Sequence, residues 1–327
     1  MPNDGPTPGM RANALFDLRT ADDDPRSLLD RAISGALREL SIDPSDPRTF
    51  RGAMHCSPAL TGPPGRVHGG IHPILRTVPI LERLSGRGPG LRRLRVEAGL
   101  QKPLPIGETA EFEGTYEADA NGFVLTTRFL DSDRLLARAT LPPAGPLLDA
   151  AALARWRALF ETAQSEPRSV TRIVGIEYPN TPSLVWLELR TPDAIRQVAH
   201  VRGSFSDAQG FGLGAFSTQL DSVGVLARAE GLLHPHFTKH IEVSLDLDHV
   251  GPDTSVLILS DRTSIEPVPG SPTVEIRGEH HGTVRTRAVA VDAAFTRCFA
   301  AATITMHPID PARFAGFDAM VKVGDRG

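Results

Sequence analysis

The chain has 327 residues, of which 35 are Lys or Arg and 39 Asp or Glu, giving a net charge of −4. That length allows about two domains, and 40% hydrophobic with 23% charged residues is the balance of a globular protein rather than a fibrous or disordered one. The acidic balance argues against a nucleic-acid-binding protein, and no stretch approaches the ~20 apolar residues of a membrane helix.

The start, "MPNDGPTPGMRAN", is polar and rich in Pro and Gly, with no apolar signal core. It predicts a disordered tail over residues 1–22 on a cytoplasmic protein. Lysine is confined to Lys102, Lys239 and Lys322 while Arg, Ala, Gly and Pro abound, the signature of a GC-rich bacterial genome. Arginine content is therefore a weak sign of phosphate binding. Cys56 and Cys298 stand far apart and lack metal-ligand spacing. They read as two free buried thiols rather than a disulfide.

A helix is expected over residues 22–40, "DDDPRSLLDRAISGALREL". Asp24 would cap it, Pro25 would take its first turn, and Leu28, Leu29, Ile33, Leu37 and Leu40 would line one face. A strand over 49–56 and a loop lead to a helical run, "GGIHPILRTVPILERLSG". Pro73 suits its first turn, whereas Pro79 should kink or end it. Four strand-like segments follow, at 91–100, 107–118, 122–131 and 133–141, with period-two alternation and turn residues between them. An Ala- and Leu-rich helix over 147–164 reads as a connector.

The second half repeats this order. Strand candidates at 183–190 and 199–206 precede a glycine-led helix, "GFGLGAFSTQLDSVGVLARAEGLL". Four further strand segments then lie at 239–247, 254–263, 272–281 and 283–295. Order and spacing repeat with little identity. The fold class is therefore α+β, with an antiparallel sheet wrapped around a long central helix in each half. The expected domains are a first unit at 23–145 with its leading helix, a linker helix at 146–168 and a second unit at 169–327. The two sheets would pair edge to edge, which protects their edge strands.

"CSPALTGPPGRVHGGIHPIL" and "VEAGLQKPLPIGETAEFEGTY" resemble the glycine loop and following strand of hotdog-fold acyl-CoA thioesterases, over roughly Thr49 to Leu141. "FSTQLDSVGVLA" and "HIEVSLDLDHV" resemble the acid-bearing helix and next strand of the double-hotdog acyl-CoA thioesterases. The resemblance implies a tandem double hotdog that hydrolyses an acyl-CoA or related acyl thioester. CoA would enter as part of the substrate, with no separate cofactor, and a homo-oligomer of double hotdogs fits the same resemblance. It also implies an acid nine positions after His68, where this chain has Thr77. The acid would instead be Asp221, Ser244 would take the place of the family's hydroxyl, and Ala290 stands where the family has a glutamine.

The residues themselves point to the same chemistry. A helix start leaves about four N–H groups unpaired at the positive end of the helix dipole, and glycine lets a carbonyl approach them. Gly69 and Gly70, or Gly214, are candidate oxyanion-hole donors; the plain alternative is a tight turn. His68 is either an acid–base group or a histidine that holds the loop. Asp221 stands in an otherwise apolar helix, where a lone carboxylate needs partners or a raised pKa, which suits a base or nucleophile. Exposure, or a bond to Ser217, is the alternative. Ser244 is expected to face inward beside it. His234, His236, His280 and His281 give no convincing metal-ligand triplet, and Lys239 with His240 could meet CoA phosphates. Two rival functions remain: a dehydratase or hydratase using His68 and Asp221, and a non-catalytic acyl-thioester binder.

Overall fold

In the computed structural model the described residues are 28–62, 65–85, 91–100, 104–120, 122–130, 136–173, 176–190, 212–228, 236–251, 254–276, 278–309 and 321–325. The expected tail and the strand candidate at 199–206 lie outside them.

The first helix, α1 (Leu28–Ser34), ends earlier than its apolar spacing predicts. Gly35 ends it, with its N–H bonded to the Arg31 carbonyl at 2.9 Å. Leu37 and Leu40 belong to strand β1 (Leu37–Ile42) instead. That strand pairs antiparallel with β2 (Thr49–His55). The long helical run divides as Pro79 requires, into α2 (Ile71–Leu75) and α3 (Val78–Ser85). Pro79 thereby falls in the first turn of α3, where no N–H is missed. Strands β3 (Arg93–Gly99), β4 (Thr109–Asp119), β5 (Gly122–Phe129) and β6 (Leu136–Thr140) complete the first half.

Helix α4 (Ala150–Ala163) is capped by Asp149, whose side chain accepts from the Ala152 N–H at 2.8 Å. Beyond it come β7 (Ser169–Ile173), β8 (Ile176–Asn180) and β9 (Leu184–Arg190), then helix α5 (Leu213–Arg228). The remaining strands are β10 (His236–Asp246), β11 (Ser255–Asp261), β12 (Glu266–Pro267), β13 (Thr273–Ile276), β14 (Glu279–Gly282), β15 (Val284–Asp292), β16 (Cys298–Pro308) and β17 (Val321–Asp325). The 272–281 segment, expected as one strand, is the hairpin β13–β14, with Gly278 at φ 83° in its turn.

The large sheet runs β1-β2-β4-β5-β6-β3-β10-β16-β15-β11-β9-β8-β7-β17. Its two halves share one strand order: β2-β4-β5-β6-β3 matches β9-β11-β15-β16-β10, with α2–α3 and α5 inserted at the same point of the chain. The halves meet where β3 pairs antiparallel with β10, in the register Val96↔Val243 and Leu94↔Leu245. Alternation makes this seam two-faced. Leu94, Val96, Ala98, Ile241, Val243 and Leu245 are all buried on one side, each larger side chain contributing about 1.5–3 kcal/mol. On the other side Arg95 pairs with Glu242, and His240 with Glu97 at 3.2 Å.

Helix α5 is buried nearly all round, which marks a core helix. It packs on β9, β10, β11, β15 and β16 and also touches α1 and α2. Helix α4 lies on the outer face of the second half and does more than connect. Leu153 and Trp156 enter a separate apolar cluster with Trp186, Leu257 and Phe295, and Phe160 meets the Trp186 ring edge-on at 5.8 Å. Both cysteines are free and buried. Among the described residues no helix is long and apolar enough to cross a membrane.

Candidate functional site

The "HGG" loop enters α2, which abuts α5 of the other half. Gly70 sits at φ −67° and ψ −20°, a conformation open to any residue. Its need for glycine is therefore steric. A Cβ at Gly70 would fall inside contact distance of the Ser217 carbonyl oxygen and 2.8 Å from both Thr218 Cα and Asp221 Cβ. A Cβ at Gly69 would stand 2.8 Å from Asp221 Oδ2 and 3.1 Å from Thr238 Oγ1. The two glycines let the backbone of one half lie directly on the acid-bearing helix of the other. Ser217 fastens the contact, its hydroxyl donating to the Gly70 carbonyl at 2.5 Å.

This packing brings His68 and Asp221 together, with Nδ1 3.5 Å from Oδ2. The Asp221 side chain is 4% exposed and that of His68 21%, so the pair opens to solvent on the histidine side. The Thr238 hydroxyl donates to Asp221 Oδ1 at 2.5 Å, and the Gly70 N–H acts on the same carboxylate. Burial raises the Asp221 pKa above the ordinary carboxylate value; His68, Thr238 and Gly70 only partly offset it. Burial likewise holds His68 below the usual imidazole range, opposed by the Asp221 charge. Neither group favours its charged form alone, so the pair is built to share one proton.

Two expected residues are placed elsewhere. Ser244 faces outward: it opposes Arg95 across the seam and lines a cavity of about 580 Å³ under α4 with Trp156, Glu242 and Arg287. The register of β10 slips between Thr238 and His240. This bulge puts Thr238 on the same face as Ile241, Val243 and Leu245. Without it, strict alternation would group Thr238 with Ser244, away from Asp221. The hydroxyl at the acid is therefore Thr238, which the sequence reading passed over.

The Gly214 N–H, expected as an oxyanion donor, is already bonded. It donates to Asp30 Oδ1 of α1 at 2.9 Å, and a Cβ at Gly214 would lie 3.0 Å from the same oxygen. The start of α5 is thus capped from outside the helix, by a carboxylate that also complements its dipole. Asp30→Ala is expected to cost about 1–2 kcal/mol, read as a lower urea midpoint; an unchanged midpoint would refute the cap. In the HGG loop the Gly70 N–H also reaches His68 Nδ1 at 3.1 Å. Among the described residues the Gly69 N–H has no hydrogen-bond partner.

Beneath the site, Thr77 returns its hydroxyl to the Pro73 carbonyl at 2.7 Å. The Arg76 guanidinium is buried, donating to the carbonyls of Gly99 (3.1 Å) and Thr127 (3.2 Å) and lying over the Phe129 ring. Where the first half would carry its own acid it carries a neutral hydroxyl beside a cation. His72 is 2% exposed, and its Nε2 accepts the Leu104 N–H at 3.4 Å. Burial, with the Arg76 and His68 charges, lowers its pKa from 6.5 to about 3. A lowered histidine stabilises the fold above its unfolded pKa, and that stability is lost as pH falls through 6.5 toward 3. Between pH 7 and pH 5 the loss is about 2 kcal/mol. His68 adds to it, and Asp221, raised, opposes it. His72→Gln should flatten this acid dependence in urea unfolding at the two pH values. An equal pH 5 loss in wild type and variant would count against the assignment.

No protein-family model matches the chain, and no curated protein matches it in sequence. In structure it is similar to a protein from Thermobifida fusca assigned as a thioesterase II, with 13% identity, 88% of this chain and 99% of that chain covered, and a TM-score of 0.50. At 13% identity that likeness is one of fold alone. Two other solved structures show weaker likeness. A hot-dog-fold protein of unknown function from Alicyclobacillus acidocaldarius is 11% identical, with 86% and 98% of the two chains covered and a TM-score of 0.45. The dehydratase domain of the polyketide PpsC from Mycobacterium tuberculosis is 14% identical, with 84% and 98% covered and a TM-score of 0.44.

Proposed function

We propose that this chain is a tandem double hotdog that hydrolyses an acyl thioester, carried on CoA or a related thiol, at the junction of its halves. The shared strand order of the halves supports the tandem reading. The observation that carries the activity is the buried carboxylate of Asp221, held against the His68–Gly70 loop of the opposite half. A carboxylate with a raised pKa is a stronger base than one in water.

In this reading the thioester carbonyl oxygen points to the Gly69 N–H, which polarises it as an oxyanion donor. Asp221 takes a proton from water as the water oxygen attacks the carbonyl carbon. The tetrahedral oxyanion collapses, the C–S bond breaks, and the proton on Asp221 passes to the departing sulfur. The products are a carboxylic acid and a free thiol. Direct attack by Asp221, through an anhydride that water then opens, balances equally. The Thr238 hydroxyl and the Gly70 N–H hold the carboxylate, His68 exchanges a proton with it, and CoA enters only as part of the substrate. Because the base form of Asp221 exists only above its raised pKa, kcat/KM should rise with pH through a value above that of an ordinary carboxylate.

Thiol release from a panel of acyl-CoAs tests the reading, with Asp221→Asn as control. Release by the wild type and not by the variant supports it. Loss or gain of an enoyl chromophore without thiol release would assign the pair to dehydration or hydration. Tight CoA binding with neither activity would make the chain a binder.

A further inference from the structure

The His68 ring has a partner of opposite polarity at each nitrogen. At Nδ1 the partner is a donor, the Gly70 N–H at 3.1 Å. At Nε2 it is the Ser222 hydroxyl of α5, at 3.4 Å. A hydroxyl carries one proton, and that of Ser222 is directed to the Thr218 carbonyl one turn earlier, at 2.9 Å. Toward His68, Ser222 therefore presents a lone pair. Below it, the buried Tyr178 of β8 donates to Gln219 Oε1 at 2.8 Å, and Ser222 also acts on that phenol. The hydroxyl of Ser222 thus lies between the α5 backbone and the Tyr178–Gln219 pair.

We propose that Ser222 is a positioning residue that locks neutral His68 in the tautomer carrying its proton on Nε2, so that the Nδ1 lone pair always faces Gly70 and Asp221. The lock decides where the shared proton resides. With Nδ1 obliged to accept, His68 takes a proton from Asp221 or returns it, and cannot donate to the carboxylate while neutral. Asp221 then remains the group that exchanges protons with a substrate, and His68 regulates its readiness. Among the described residues the titratable groups that act on the ring are Asp221 on α5 and His72 on α2; Arg76 acts on His72, and Tyr178 on β8 meets Ser222.

The tautomer is read directly from imidazole ¹⁵N shifts of histidine-labelled protein at pH 7.5, with His68→Gln identifying the His68 signals. The wild type should show protonated Nε2 and bare Nδ1. Ser222→Ala should move both signals toward the average of mixed tautomers, and Ser222→Thr, which keeps the hydroxyl, should restore them. The kinetic arm rests on the thioester reading. There Ser222→Ala should lower kcat about tenfold, the worth of one hydrogen bond, with KM nearly unchanged and Ser222→Thr restoring the rate. A wild-type ring protonated on Nδ1, or shifts unmoved in Ser222→Ala, would overturn the proposal. Shifts that behave as stated in a protein without thioesterase activity would sink the thioester reading and leave the lock standing.

Discussion

Asp221→Asn is expected to lower thioester turnover about 10³-fold while leaving the protein at least as stable as the wild type at pH 7. The two effects separate because of what surrounds the side chain. The amide oxygen can still accept from the Thr238 hydroxyl, and the amide N–H can donate to His68 Nδ1, so both bonding directions survive. What disappears is a carboxylate that burial disfavours in its charged form. A raised folded pKa means that ionising Asp221 costs stability as pH rises from 3.8 through the folded value, and asparagine escapes that cost. Activity is lost because an amide cannot take a proton from water. Turnover within tenfold of wild type would rule Asp221 out as base or nucleophile. Loss of both activity and fold would point to a structural role instead.

The second large effect is expected at Gly70. Its added methyl in Gly70→Ala would meet the Ser217 carbonyl and Thr218 Cα, both backbone atoms of α5. That helix is backed by five strands, so it cannot retreat as a flexible side chain would. A penalty of about 3 kcal/mol or more follows from overpacking of this kind. The urea midpoint should fall sharply, and the His68–Asp221 contact should open. Gly69→Ala is the informative contrast. Its methyl would press chiefly on the Asp221 carboxylate and Thr238 side chain, which can rotate aside. Activity should then fall with a smaller loss of stability. Equal stability losses in the two variants would contradict this account of the loop.

Much of this site is legible in the sequence because its strongest signals are local. Two glycines after His68 at a helix start, and one acid in an apolar helix, are visible without any partner. The division of the α2–α3 run at Pro79 follows from a missing N–H and a fixed ring. The errors have a different origin. Helix spacing carried α1 past Gly35, because Leu37 and Leu40 suit a helix face as well as an edge strand; pairing with β2 decided between them. The resemblance puts Ser244 at the family's hydroxyl position, facing inward, but one extra residue at the Thr238–His240 bulge turns Thr238 to the inner face instead. The glycine-led start of α5 looked free to bind an oxyanion, whereas Asp30, 184 positions away, occupies it.

The sequence by itself determined the repeated order of elements, the alternation that gives the seam strands a buried face, and the identity of the acid in the apolar helix. Those properties depend on residues a few positions apart, whose geometry the helix and strand periods set. Only the tertiary structure decided which hydroxyl, which amide and which histidine nitrogen meet that acid. Asp221 lies 153 positions from His68 and 17 from Thr238. Such contacts depend on how two halves dock and where a ladder slips, at a resolution of one residue, and no local propensity encodes either.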